Sequence, residues 1–249
     1  MRIDHPTQIG PLRDLWKQAF GDSDAFLDSF FATAFSPNRC LCATEGDALA
    51  AAMYWFDCQV NGQKIAYIYA VATDKSFRRQ GICHKLMAKA HEILKSQGYS
   101  GTILVPGEPA LEDLYAAMDY RVCTQLREVV CARGPEPVPL RPIDAIEFAR
   151  LRRELLPENA VIQEGPSLSF LAAQAEFYAG THLLLAARRD RDSLFGLELL
   201  GDITAAPGIL TALGCAQGQF RTPGQGHPFT MYRPLDGTPA PAYFAFAFD

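Results

Sequence analysis

An apolar run, Ile65 to Thr73, leads through the basic stretch Arg78-Arg79-Gln80-Gly81-Ile82-Cys83 into a helical pattern that continues to about Ser96. No other feature of the chain constrains its fold as strongly. A strand, a short glycine-containing turn and a helix, in that order, make an anion site. The first N–H groups of a helix have no intrahelical partner, and the helix dipole places partial positive charge at the same end. A pyrophosphate can accept those hydrogen bonds. Gly81 lets a ligand approach the backbone, because no side chain intervenes. Arg78 and Arg79 can add charge-assisted bonds to phosphate oxygens. Their other reading is ordinary solvated charge, and the adjoining Gly81 and strand–helix boundary favour phosphate.

Composition limits what surrounds this loop. The 249 residues are 49% hydrophobic, enough to bury a sizeable core in one large domain or two small ones. A net charge of −5 and a pI near 5.6 argue against a general nucleic-acid binder, which carries a basic face. The seven cysteines, Cys40, Cys42, Cys58, Cys83, Cys123, Cys131 and Cys215, are scattered. Cys40-x-Cys42 is not a usual zinc spacing and no second pair with histidines completes a site, so free thiols and no metal are expected. The N-terminus lacks a basic-then-apolar signal and no apolar run is long enough to cross a bilayer. The expectation is a cytoplasmic protein with no membrane or nucleic-acid partner.

Periodicity gives the organisation. Ile9, Leu12, Leu15, Trp16 and Phe20 recur at helical spacing, and Asp22 or Ser23 caps a second helix carrying Phe26, Phe30, Phe31 and Phe35. Strand-like runs follow at Cys40–Thr44, Leu49–Val60 and Ile65–Thr73, with Asn61-Gly62 as a hairpin turn between the last two. Arg79 to Ser96 reads as a helix, Thr102 to Val105 as a strand, Ala110 to Met118 as a short helix, and Tyr120 to Cys131 as one long strand or a pair. Gly134 to Pro139 holds three prolines in six residues and reads as a stiff linker. The expected division is therefore 1–133, a linker over 134–140, and a smaller domain over 141–249. The latter reads as helices around Ile143–Leu156 and Leu168–Tyr178, strands His182–Ala187 and Leu194–Leu200, and a helix Ala206–Leu213. Short strands near Gln219–Thr222 and Phe229–Arg233 follow, and then a paired apolar end, Tyr243 to Phe248. Both halves open helix, helix, strand, strand, which suggests duplication. The second half has no counterpart of the Arg78–Gly81 loop.

The segment Val71 to Met87 resembles motif A of the GNAT acetyltransferases, whose core reads Arg/Gln-x-x-Gly-x-Gly/Ala between a strand and a helix. Arg78 and Gly81 match, and Cys83 stands where the family prefers Gly or Ala. The resemblance covers roughly residues 1 to 133 and implies a mixed-sheet α+β fold, with the second half a degenerate GNAT-like domain. It implies acetyl-CoA as co-substrate, its pantetheine arm bonded by the backbone of Val71, Ala72 and Thr73. The loop Arg78, Arg79, Gln80, Gly81, Ile82, Cys83 and His84 would cradle the pyrophosphate. Leu114-Tyr115-Ala116-Ala117-Met118-Asp119-Tyr120 is similar to the family's later Phe-Tyr-x-x-Leu-Gly-Phe. That makes Tyr115 the proton donor to the leaving thiolate, while the plain alternative is a packed aromatic. Asp119 takes the place of a Gly.

The implied reaction is direct attack of a primary amine on acetyl-CoA. The strand before motif A carries no carboxylate to serve as base, and Glu45, Glu108 and Glu112 are the nearest alternatives, each expected to be solvated. His84 reads as decoration on the first helical turn, and Tyr54, Trp55 and Phe56 as core rather than acceptor pocket. A narrower resemblance is to the enhanced-intracellular-survival type of acetyltransferase, which adds a third domain and uses its terminal carboxylate as base. This chain is too short for that domain, so Asp249 is not expected to inherit that role. The acceptor is read as a small molecule or peptide amine, with a homodimer an open option. The competing reading is a non-catalytic acyl-CoA-binding or regulatory module.

Overall fold

Two units share the chain, and neither is one continuous stretch of it. The computed structural model describes residues 1–248. The first unit is Met1–Arg121 with Met231–Ala240, and the second is Val122–Thr230 with the segment from Pro241 onward.

In the first unit, strand β1 (Arg2–Asp4) precedes helices α1 (Gly10–Phe20) and α2 (Asp24–Thr33). The amphipathic spacing of α1 buries Leu12, Leu15 and Trp16, and Ser23 caps α2 by accepting from the Phe26 N–H at 3.2 Å. Strands β2 (Cys40–Glu45), β3 (Ala48–Val60) and β4 (Gln63–Thr73) follow as an antiparallel meander. Asn61 and Gly62 close the β3–β4 hairpin with φ of 48° and 75°, the positive values such a two-residue turn requires. Helix α3 (Ile82–Ser96) carries the chain to β5 (Gly101–Leu104), which runs parallel to β4, and α4 (Ala110–Ala116) ends the sequence of elements. The sheet order is β1-β2-β3-β4-β5, and Met231–Pro234 adds antiparallel to the outer edge of β5. Gly101 is obligatory in that last pairing, because a Cβ there would lie 2.0 Å from the Tyr232 hydroxyl.

The two faces of this sheet bury different residues. Tyr54 packs with Trp16 and Phe30 of the first two helices and Phe56 with Phe30, with ring centroids 5.1 to 6.4 Å apart. Met53, Trp55, Ala66 and Ile68 join Ile82, Leu86, Met87, Ala90 and Leu94 of α3. Alternation along each strand produces the separation.

The second unit contains β6 (Arg121–Ala132) from Val122 on, β7 (Leu140–Ile143), α5 (Ala145–Leu155), β8 (Ile162–Gln163), α6 (Pro166–Ala172), β9 (Glu176–Gly180), β10 (Leu183–Asp190), β11 (Ser193–Gly201), α7 (Ala206–Leu213) and β12 (Gln217–Pro234) as far as Thr230. Its sheet order is β7-β9-β10-β11-β12, with β6 beside β12 and β11 parallel to β12. The order of the first unit, helices after the first strand and one parallel pair at the end, is thus repeated.

Several expectations need correction. The prolines keep 134–139 out of regular structure, but the segment is not a spacer. Gly134 N–H donates to the Pro207 carbonyl at 2.9 Å and Val138 N–H to Gly208 at 3.2 Å, fastening it to α7. The contact boundary falls at Arg121/Val122 instead. The helix expected over Leu168–Tyr178 stops at Ala172, and Glu176–Gly180 is a strand paired on both sides by β7 and β10. The two short strands after Gln219 are one, β12. Tyr243 to Phe246 are buried but lie outside the named strands, joined by a single bridge from Tyr243 to Ala160. Arg79 is not helical: its φ is 62°, and α3 begins at Ile82.

Candidate functional site

Strands β4 and β5 pair at Ile65–Gly101, Ala66–Thr102 and Tyr67–Ile103, and there the ladder ends, although β4 runs on to Thr73. Strand β5 itself ends at Leu104, and β4 goes on through a bulge. Between the pairs Tyr54–Tyr69 and Ala52–Ala72, β3 has one residue, Met53, and β4 has two, Ala70 and Val71. Ala70 takes a φ of 48°, uncommon for a residue with a side chain. A bulge bends its strand and sharpens the local twist. The last part of β4, residues 68–73, thus has no β5 partner, which leaves a gap in that ladder. Val71 and Thr73 are half-buried at this edge and Ala72 is buried.

The gap leads to the start of α3. Asp74 accepts from the Ser76 N–H at 2.8 Å and holds a 3-10 turn over Lys75–Phe77. Arg78 follows in extended conformation, its Nε donating to the Thr73 carbonyl at 3.1 Å, so the guanidinium folds back toward the end of β4. Gln80 Nε2 donates to Ser76 O at 3.3 Å. Gly81 has a φ of 72°, and the space where its Cβ would stand is open. No side chain caps α3, unlike α2 and α5, whose starts are held by Ser23 and Asp144. Arg78, Arg79, Gln80, Gly81 and His84 are exposed, Ile82 is buried and Cys83 is half-buried.

Tyr115 lies on α4, buried at 7% exposure in the cluster that Val71, Phe77 and Cys83 also pack against. Burial holds its phenol well above the usual tyrosine range, and the nearby Cys83 thiol adds to the shift. Burial likewise pushes the Cys83 thiol up to about 11. Both groups therefore keep their protons at neutral pH.

Beside Tyr115 stands a polar cluster that the sequence reading missed. The Tyr120 phenol lies 2.9 Å from His91 Nε2 and 2.8 Å from the Thr102 hydroxyl. Arg233 Nη1 contacts His91 Nδ1, and its Nη2 lies 3.6 Å from Asp119. Its one sequence signal is Tyr120 itself, a hydroxyl where an apolar ring would fill the same space.

The other candidates fall away from the gap's chemistry. Glu45 pairs with the chain's amino terminus at 3.1 Å. Glu108 is exposed before α4, and Glu112 sits half-buried in its first turn. Tyr54, Trp55 and Phe56 are core, and Trp55 Nε1 donates to the Tyr99 hydroxyl at 3.3 Å. Asp249 lies outside the described residues. All seven cysteines are free, and among the described residues no group of three or more His, Cys, Asp or Glu side chains is placed to hold a metal.

The second unit repeats part of this arrangement. Strand β11 also parts from its parallel neighbour, after Gly196–Phe220, and Asp202 accepts from the Thr204 N–H at 2.9 Å much as Asp74 does from Ser76. The 3-10 turn Ile203–Ala205 then runs straight into α7. No residues correspond to Arg78–Gly81. Just beyond the parting, Glu198 forms a buried bidentate pair with Arg152, at 2.6 and 2.9 Å, and the Arg152 guanidinium lies 4.3 Å from the Phe246 ring centroid.

Residues 6–123 match the family model described as an acetyltransferase (GNAT) domain. The whole fold is similar to that of a GCN5-related N-acetyltransferase from Kribbella flavida, with a TM-score of 0.73 at 17% identity over 94% of this chain and 71% of that one. A GCN5-related N-acetyltransferase from Anabaena variabilis gives 0.73 at 14% identity over 94% and 72%. Eis1 from Mycobacterium abscessus gives 0.67 at 12% identity over 95% and 74%. Comparison with curated proteins gives no match.

Proposed function

From the match of residues 6–123 to the GNAT acetyltransferase domain we propose that the protein transfers an acetyl group from acetyl-CoA to a primary amine by direct attack. The observation that carries this reading is the parting of β4 from β5 after Tyr67, beside the uncapped start of α3. An extended pantetheine arm fits such a gap by bonding the backbone of Val71, Ala72 and Thr73, as an added strand would. The pyrophosphate then meets the N–H groups of Ile82, Cys83 and His84 with Gly81 at close approach, and Arg78, Arg79 and Gln80 flank it. The gap and the loop together suit this ligand better than a free phosphate, which needs only the helix start.

Tyr115 is the residue we assign to the leaving thiolate. Its phenol keeps its proton because it is buried, and a protonated phenol donates a hydrogen bond to sulfur as charge develops there. In this reading a backbone N–H near Val71 or Ala72 would stabilise the carbonyl oxygen during attack. The amine must arrive neutral, and no side chain at the gap is assigned as its base. The second unit, without a phosphate loop, is read as a degenerate copy that takes no cofactor.

The test is thermal. Millimolar acetyl-CoA is expected to raise the melting temperature, and release of thiol should follow when a polyamine, an aminoglycoside or a lysine-rich peptide is added. No thermal shift sinks the reading. Binding without turnover on any amine, together with no effect of Tyr115→Phe, would favour an acyl-CoA-binding module instead.

A further inference from the structure

The polar cluster around Tyr120 has no part in cofactor binding as described, yet it is tied to Tyr115 at two places. The Tyr120 N–H donates to the Tyr115 carbonyl at 3.2 Å, and the two rings meet edge to face with centroids 5.9 Å apart. Tyr120 is fully buried and its hydroxyl is held from two elements, by Thr102 on β5 and by His91 on α3. His91 is itself buried and held by Arg233. Burial, reinforced by the Arg233 charge, lowers its pKa to about 3, so it stays a neutral imidazole able to serve both partners. Asp119, adjoining Tyr120, adopts a φ of 66° and faces the same Arg233.

A buried polar chain of this kind is costly unless its members satisfy one another, and once satisfied it fixes geometry more tightly than apolar packing alone. An apolar ring at position 120 would fill the space equally well. The hydroxyl adds direction: it sets the rotation of the Tyr120 ring, which is the surface Tyr115 packs on. One side of His91 lines a cavity of about 510 Å³ together with His84, Glu92, Lys95, Asp119 and Arg233. Water is therefore within reach of this chain if it loosens.

We propose that His91 and Tyr120 are positioning residues for Tyr115: their hydrogen bond fixes the ring on which the Tyr115 phenol rests and keeps that phenol dry. The inference rests on the reading of Tyr115 as the donor to the cofactor sulfur, but the titration that tests it does not need an acceptor. The full chain would be labelled with [13Cζ]tyrosine and saturated with coenzyme A, and the Tyr115 signal identified by its loss in Tyr115→Phe. The charged and titratable groups facing the chain are Cys83 at Tyr115, and Arg233, Asp119, Glu92, Lys95 and His84 around His91.

In the native protein the Tyr115 signal should not titrate up to about pH 10.5, above the ordinary tyrosine value of about 10. In Tyr120→Phe, which keeps the ring and removes only the hydroxyl, it should titrate within that range, near the ordinary value of about 10, and His91→Gln should do the same. In thiol release, Tyr120→Phe should lower kcat about tenfold with the KM for acetyl-CoA within about twofold, and should add nothing in a Tyr115→Phe background. An unchanged Tyr115 titration in a folded Tyr120→Phe protein overturns the inference, even if His91→Gln fails to fold. Full turnover by Tyr115→Phe with a shifted titration in Tyr120→Phe would remove the acid role while leaving the positioning intact.

Discussion

Tyr67 and Ile103 are the last residues that pair β4 with β5, and β4 then carries a bulge at Ala70 and Val71 on its β3 side. A parallel ladder that stops partway leaves backbone donors and acceptors unpaired on facing edges. They need partners from water or from a ligand. A ligand with amides spaced along an extended arm meets both edges.

Gly81 should be the most sensitive position of the loop. With a φ of 72°, any L side chain is strained there by roughly 1–2 kcal/mol. Gly81→Glu also places a negative charge where phosphate is expected, so it should abolish the acetyl-CoA-induced rise in melting temperature. Arg78→Ala should weaken acetyl-CoA binding about tenfold by calorimetry, the loss of one charge-assisted hydrogen bond of about 1.4 kcal/mol. An unchanged Kd for both variants would remove the phosphate role from this loop.

The pH profile of turnover should show no descending limb from Tyr115 below about pH 10. The sign follows from its surroundings. The donor works while protonated, that is, below its pKa, and burial moves that pKa up from the ordinary value of about 10. A rate that falls through an ionisation near pH 8, and loses that limb in Tyr115→Phe, would contradict the burial that the packing of α4 imposes.

How much of this was legible in the residues alone depends on how local each cause is. The loop was readable because strand, glycine and helix lie within one short segment. Asn61-Gly62 was readable for the same reason. The bulge left a fainter mark: Ala66 and Ile68 alternate onto the α3 side, and Val71 breaks the period of two. Strand β9 was missed because its character comes from its neighbours: β7 and β10 pair it on both sides, which outweighs a helix-like run of Ala, Gln and Phe. The exchange of Met231–Ala240 into the first unit left no mark in composition, since a pairing partner from far along the chain adds no local pattern. The His91 cluster joins residues from α3, β5 and the end of β12, and only packing brings them together.

Each chain should bind one coenzyme A. The first unit has the loop, and the second passes from its Asp202 turn directly into α7. Titration of the native chain should give a stoichiometry near one, and Gly81→Glu should bring it to zero rather than expose a weaker site. A residual site in that variant would mean the second unit binds cofactor by means other than a phosphate loop.

Breaking the buried pair of the second unit should cost more stability than any surface ion pair. Arg152 and Glu198 are 3% and 1% exposed, so removing one leaves the other buried without its counter-charge. Arg152→Leu should lower unfolding free energy by about 3–5 kcal/mol in denaturant titration, and the double variant Arg152→Leu/Glu198→Leu should recover most of that loss, since a well-packed apolar pair often matches a buried ionic one. Surface pairs such as Arg150–Glu154, where both side chains are 60% exposed, should contribute under about 1 kcal/mol by the same measurement. If the double variant is as unstable as the single one, the pair is holding α5 on β11 through geometry that packing cannot replace, and the Phe246 ring stacked on the guanidinium becomes the next residue to remove.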